Sequence, residues 1–240
     1  MADPLADFLA TREPTAQRPL LGLTVLLVED SRFACEAVRL MCLRSGARIR
    51  RADCIRSARR HLQCYRPTVV IVDLGLPDGS GLDLIAEIAG ARPRVPALLA
   101  TSGDCAAADA ALFAGANGFL AKPCESLLEF QRAVLAALPS VAGPAIGTVR
   151  AGDDHIVPDP LALRDDLQLA AGLLGDGPDA AALDYVARFL AGIARSAHDA
   201  PLQAAAEALA KDNSAGLSTA APASRVSGLV RARLAAGAVF

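Results

Sequence analysis

The sequence has no surplus of positive charge: 24 lysines and arginines face 26 aspartates and glutamates, for a formal charge of −2. That balance disfavours a chain that works by wrapping nucleic acid. No apolar run approaches the roughly 18 residues of a membrane span; the best stretches, such as Thr24–Val28 and Val69–Val72, are short. The first twenty residues, with Asp3, Asp7, Arg12 and Glu13, lack the apolar centre of a secretory signal, so a soluble, cytoplasmic chain with no membrane partner is expected. Histidine is scarce (His61, His155 and His198), and the six cysteines (Cys35, Cys42, Cys54, Cys64, Cys105 and Cys124) include no C-x-x-C pair. Neither a zinc site nor a disulfide framework follows from that spacing. Reduced, structural thiols are the expectation, with Cys35 and Cys42 seven apart on one helix. What the chain does have is apolar residues, 53% against 21% charged, which exclude a disordered polymer and allow a buried core.

Its organisation shows in changes of pattern. Short β-rich runs alternate with helical stretches up to Pro139; Pro139, Gly143, Pro144, Gly147, Gly152, Pro158 and Pro160 then follow without apolar periodicity, and strand signals vanish beyond them. The division predicted is an extension over 1–19, an α/β domain over 20–139, a linker over 140–160 and a helical domain over 161–240. Strands are expected at 24–29, 48–52, 69–73, 97–101 and 118–121. Three are nearly continuous aliphatic runs, as in parallel strands buried on both faces. Helices are expected near 32–45, 55–65, 82–91, 105–115 and 125–138. Five β–α repeats of this size predict a right-handed, doubly wound, flavodoxin-like parallel sheet, followed by a small all-α bundle.

Polar residues collect where the strands end. Glu29 and Asp30 close the first strand, Asp73 the third and Thr101 the fourth, while Lys122 follows the fifth. In a parallel sheet those ends share one edge, and ligands bind there near the point where strand order reverses. Taken singly, an aspartate at a strand end is a turn former or a cap, and a lysine is solvated. Taken together, three converging carboxylates repel one another unless a cation lies among them. Their hard oxygens suit Mg²⁺ rather than zinc. With Lys122 and Thr101 opposite, the set makes a cradle for a phosphoryl group, and Asp73 is the candidate nucleophile for an aspartyl phosphate.

The segments TVLLVEDS (24–31), VVIVDLGLPDGSGLDLI (69–85), ATSG (100–103) and GANGFLAKPCE (115–125) resemble the CheY-like receiver domain of bacterial two-component response regulators. The resemblance covers about residues 23–138, half of the chain. It implies that Asp73 accepts phosphate from a histidine kinase or histidine phosphotransfer protein, and that Asp30, Asp73 and the Gly75 carbonyl bind Mg²⁺ with Glu29 completing the pocket. It further implies that Lys122, before a cis Pro123, contacts the phosphoryl group, and that Thr101 and Phe119 form a switch. Phe119 has no hydroxyl, and an ordinary core aromatic is the competing reading of that position. The surface most affected would be the helix near 105–115, the fifth strand and the helix 125–138. The alanines at 106, 107, 108, 110 and 111 suit self-association as a homodimer or plain close packing. Arginines crowd residues 32–66, either steering an acidic partner or lying on solvated helix faces.

In the second half, Asp159–Pro160, Asp176–Gly177–Pro178, Asp199–Ala200–Pro201 and Thr219 to Pro222 are four helix-start signals. Amphipathic stretches follow each of them, as in a bundle of about four short helices. Residues 141–240 hold eight basic and eleven acidic side chains, net −3, which is poor for a phosphate-binding surface. Arg225, Arg231 and Arg233 could lie on a reading helix, but no basic hydrogen-bonding face is evident. No GGDEF, EAL or HD-GYP-like run is found, so a separate effector enzyme is not expected. The reading is a response regulator whose helical module binds a downstream protein or dimerises. The alternatives are a DNA-binding transcriptional regulator and a phosphorelay intermediate using His198, since Phe189–Leu209 faintly resembles a phosphoacceptor helix. Pro201 and the missing companion residues argue against the last, leaving His198 as a helix-end residue favoured by the dipole.

Overall fold

The structure, a computed structural model, describes residues 13–139, 154–175 and 178–237. Most of the expected extension (residues 1–12) and linker (140–153), together with Asp176 and Gly177, lies outside the described residues. Five parallel strands, β1 (Thr24–Val28), β2 (Arg48–Ala52), β3 (Val69–Asp73), β6 (Ala97–Ser102) and β7 (Gly118–Ala121), form a sheet of order β2-β1-β3-β6-β7. Between them, β4 (Gly75–Leu76) and β5 (Gly79–Ser80) pair as a small antiparallel hairpin. This hairpin was not expected, although Pro77 and Asp78 at its tip have the chemistry of a tight turn.

Alternation along the strands sorts the core. Val25 and Leu27, Val69 and Ile71, and Leu99 enter one apolar layer; Leu26 and Val28, Val70 and Val72, and Leu98 enter the other. The first layer is closed by α1 (Arg32–Ser45) and α5 (Leu127–Ala137), the second by α2 (Ile55–Cys64), α3 (Gly81–Gly90) and α4 (Ala108–Phe113). Edge strand β2, sequence RIRRA, shows its arginines to solvent, which blunts an otherwise open edge. The helix expected over 105–115 is shorter: Asp104 takes the Ala106 amide, a 3₁₀ turn spans Cys105–Ala107, and the α-helix ends at Phe113.

Four helices follow: α6 (Pro160–Gly175), α7 (Ala180–Ser196), α8 (Ala200–Ser214) and α9 (Ala220–Ala235). Three begin on an aspartate whose carboxylate takes an amide of the first turn: Asp159 from Leu161, Asp179 from Ala182 and Asp199 from Leu202. Their apolar faces meet through Leu163, Leu167, Val186, Leu190, Leu209 and Val230. Phe33, from the first turn of α1, is part of this core, so the bundle packs on the α/β domain. Residues 154–156, inside the stretch read as linker, are seated on α5. Asp154 takes the Leu128 amide (2.7 Å) and the Ser126 hydroxyl (2.8 Å), and Ile156 is buried in the first sheet layer. All six cysteines are free; burial pushes the thiols of Cys42 and Cys124 up to about 12, which makes them inert. Among the described residues, no helix is long and apolar enough to cross a membrane.

Candidate functional site

The chain runs outward from β1 to β2 and then returns past β1 to β3, so strand order reverses between β1 and β3. A crevice opens outside the carboxyl ends of strands at such a point. Glu29 and Asp30 leave β1 there, and Asp73 is the last residue of β3, in register with Thr101 of β6. One oxygen from each of Glu29, Asp30 and Asp73 lies within 4.8 Å of the others. Lys122, just beyond β7, reaches in with its Nζ 2.6 Å from Glu29 Oε2 and 2.7 Å from Asp73 Oδ1. The other Asp73 oxygen accepts from the Gly75 amide at 3.1 Å. The Lys122–Pro123 peptide is cis.

Close packing holds the loop that carries Asp73. At Gly81, the first residue of α3, an added Cβ would run into the Asp73 carbonyl, so the helix approaches the loop as only glycine permits. Nearby, Asp78 accepts from the Ile55 and Arg56 amides at 2.8 and 3.0 Å and thus ties the hairpin to the start of α2.

Three carboxylates and one ammonium leave the pocket with two negative charges in excess if all are ionised. Burial raises the Glu29 carboxyl; Lys122 opposes the rise, and Asp73 and Asp30 add to it. Asp30 is raised likewise, chiefly by burial, against a hydrogen bond from Tyr185. For Lys122, burial alone would disfavour the charged form, but Asp73 and Glu29 outweigh it and keep the ammonium protonated. A pocket of this kind favours a proton or a cation. Its hard oxygen donors fit a divalent ion such as Mg²⁺.

The expected residues therefore converge, with two qualifications. The Thr101 hydroxyl is buried in the crevice wall and donates to the Leu120 carbonyl at 2.9 Å. Phe119 is half-buried against the second sheet layer. His198 does not lie on a continuous helix: α7 ends at Ser196, His198 has a left-handed backbone (φ 54°), and α8 starts at Ala200. The capping aspartate and Pro201 interrupt the helix, so the phosphoacceptor-helix reading of 189–209 is corrected. His198 Nε2 instead contacts Glu125 Oε1 at 2.7 Å. Of the three α9 arginines, Arg233 is held by both oxygens of the buried Asp199, at 2.8 and 3.1 Å. The arginine-rich segment is partly engaged as well: Arg51 donates to the Glu29 and Asp30 carbonyls, Arg59 pairs with Glu87 and Arg39 with Glu36.

Two residues at the site were not anticipated, and both come from the bundle. Tyr185 of α7 donates from its phenol to Asp30 Oδ2 at 2.6 Å. Asp166 of α6, 1% exposed, accepts from the Ser31 hydroxyl (2.8 Å) and from the Arg32 and Phe33 amides (2.9 and 3.0 Å), closing the N-terminus of α1. Tyr185 carries no special signal in the sequence. Asp166 does: it interrupts the apolar stripe Leu163–Leu167–Ala170 at helical spacing, where a carboxylate must find donors.

The fold and pocket define a receiver, and comparison with known proteins agrees. Residues 25–132 match the response regulator receiver domain family. The chain is 33% identical over 146 residues to the probable transcriptional regulatory protein TcrX of Mycobacterium tuberculosis, covering 60% of each chain. It is 30% identical over 99 residues to the KDP operon transcriptional regulatory protein KdpE of Escherichia coli, covering 41% of this chain and 44% of KdpE. Among solved structures, it is similar to the receiver domain of sensor histidine kinase PA1611 from Pseudomonas aeruginosa PAO1 (28% identity, 48% of this chain, 97% of that chain, TM-score 0.44). The matches thus span between two fifths and three fifths of the length of these two curated relatives. Residues 25–132, a little under half of the chain, thus carry the match to response regulator receiver domains.

Proposed function

We propose that the Asp73 carboxylate accepts a phosphoryl group from a phosphohistidine of a histidine kinase or phosphotransfer protein in the cytoplasm. In the step, an O–P bond forms to an Asp73 oxygen as the donor's P–N bond breaks, and the imidazole leaves. Asp30, Asp73 and the Gly75 carbonyl would hold Mg²⁺, with Glu29 shaping the acidic wall. When bound, Mg²⁺ supplies positive charge to the phosphoryl oxygens. Lys122, already paired with Asp73, turns its ammonium to a phosphoryl oxygen, and the Thr101 hydroxyl leaves the Leu120 carbonyl for another. That exchange releases the backbone beside Phe119 and is the two-state element of the switch. The observation that carries the proposal is the Lys122 ammonium bridging Glu29 and Asp73 among three converging carboxylates.

We assign the receiver to about residues 20–139 and the output to the helical unit 161–240, acting on a downstream protein or a second copy of the chain. DNA is the second reading of that output, favoured by the names of the curated relatives. Incubation with Mg²⁺ and acetyl phosphate, followed by intact mass spectrometry, tests the phosphoacceptor. A single base-labile phosphoryl adduct is expected, lost with EDTA and in Asp73→Asn. Equal labelling of Asp73→Asn would overturn the assignment.

A further inference from the structure

The bundle lies over the acidic pocket and is fastened to it. Tyr185 donates to Asp30, Asp166 closes the start of α1, and Arg32 pairs with Asp165. On the far side of the pocket, His198 meets Glu125, three residues past Lys122. A cleft of about 500 Å³ remains at the pocket, walled by Asp73 and Lys122 from the receiver and by Arg188 and Arg195 from α7. A small phosphodonor fits such a space. Asp73 is 7% exposed and α7 walls the cleft, an arrangement that narrows the approach for the phosphohistidine of a folded protein.

The fastening at Asp30 opposes a cation. A phenol O–H points the positive end of its dipole at the carboxylate, and a divalent ion on the same carboxylate repels that end while drawing off the electron density it binds. Both compete for one group, and competition is reciprocal: whatever favours the cation weakens the docked bundle to the same extent. Resting on the phosphoacceptor reading above, we infer that the helical bundle of this chain is the resident occupant of the receiver's catalytic edge, with Tyr185 as a latch that Mg²⁺ at Asp30 releases. Cation binding then prepares the pocket for phosphoryl transfer and opens it to a protein donor. Tyr185 is a positioning residue here; it takes no part in the chemistry.

The composition offers a direct probe. The chain has no tryptophan and only two tyrosines, Tyr65 and Tyr185, so in full-length Tyr65→Phe the tyrosine emission comes from Tyr185 alone. Hydrogen bonding to a carboxylate quenches tyrosine fluorescence. Titration with MgCl₂ is expected to raise the emission along the same saturation curve that calorimetry gives for Mg²⁺ binding. In Tyr185→Phe, which keeps the ring and removes the hydroxyl, Mg²⁺ affinity by calorimetry should rise about tenfold, the scale of one lost hydrogen bond to a charged group. Calorimetric Mg²⁺ binding with unchanged emission, or with equal affinity in Tyr185→Phe, would overturn the latch and leave the phosphoacceptor reading intact. Absence of Mg²⁺ binding in both proteins would remove that reading and the latch with it.

Discussion

Lys122 illustrates how single residues divide the work of the pocket. Its ammonium is the positive charge that lets Glu29 and Asp73 lie buried side by side, so its removal leaves both carboxylates without a counter-charge. Lys122→Met should cost about 3 kcal/mol in urea unfolding with EDTA present, the range for breaking a buried ion pair. Excess MgCl₂ should return part of that loss; a variant as stable as the parent in EDTA would show that the pairing carries no weight. Asp78 serves a structural purpose at the same edge. Its depressed carboxyl pKa comes from the Arg56 and Ile55 amides, which outweigh the opposing effect of burial. An acid with a lowered folded pKa binds more protons when unfolded, so its contribution is present above the unfolded value of about 4 and disappears as pH falls through the folded one. Asp78→Ala should therefore cost about 1 kcal/mol at neutral pH. The difference from wild type should shrink below about pH 4. A difference unchanged down to pH 2 would contradict the hydrogen bonds to ionised Asp78.

At the scale of elements, β1, β3 and β6 were legible as nearly pure aliphatic runs with Glu29, Asp73 and Thr101 at their carboxyl ends. The same pattern located Glu29, Asp30, Asp73, Thr101 and Lys122, since strand direction alone brings those ends together. The start of the sharp turn at α3 is a different case. Gly81 looks like any helix-opening glycine, and only the structure reveals that it lies against the Asp73 carbonyl. Gly81→Ala should lower stability by about 2 kcal/mol in urea unfolding, as overpacking against backbone does; no change would mean that the loop yields freely. The seating of α6 and α7 on the pocket was not legible, because Asp166 and Tyr185 meet partners more than 130 positions away. Periodicity reports which face of a helix is apolar and nothing about what it will meet. His198 shows two local signals in conflict, faint helix continuity across 189–209 and a capping aspartate followed by proline. The cap prevailed because proline cannot donate the amide that a helix interior needs.

As a whole, the molecule is a parallel sheet with an acidic edge and a helical unit resting on it. The receiver supplies an acidic, lysine-bridged pocket, and in the proposed function the bundle supplies the surface whose position that pocket controls. Net charge over the second half is negative and Arg233 is engaged with Asp199, which supports the proposed docking module for protein or a second copy, while the names of the curated relatives keep DNA as the second reading. The proposed function rests on one covalent event. Borohydride reduction of the acetyl phosphate-treated protein, followed by peptide mass spectrometry, locates an acyl phosphate directly. The account predicts a reduced side chain at position 73 alone, dependent on Mg²⁺; reduction at Asp30 or Glu29 in place of Asp73 would contradict it.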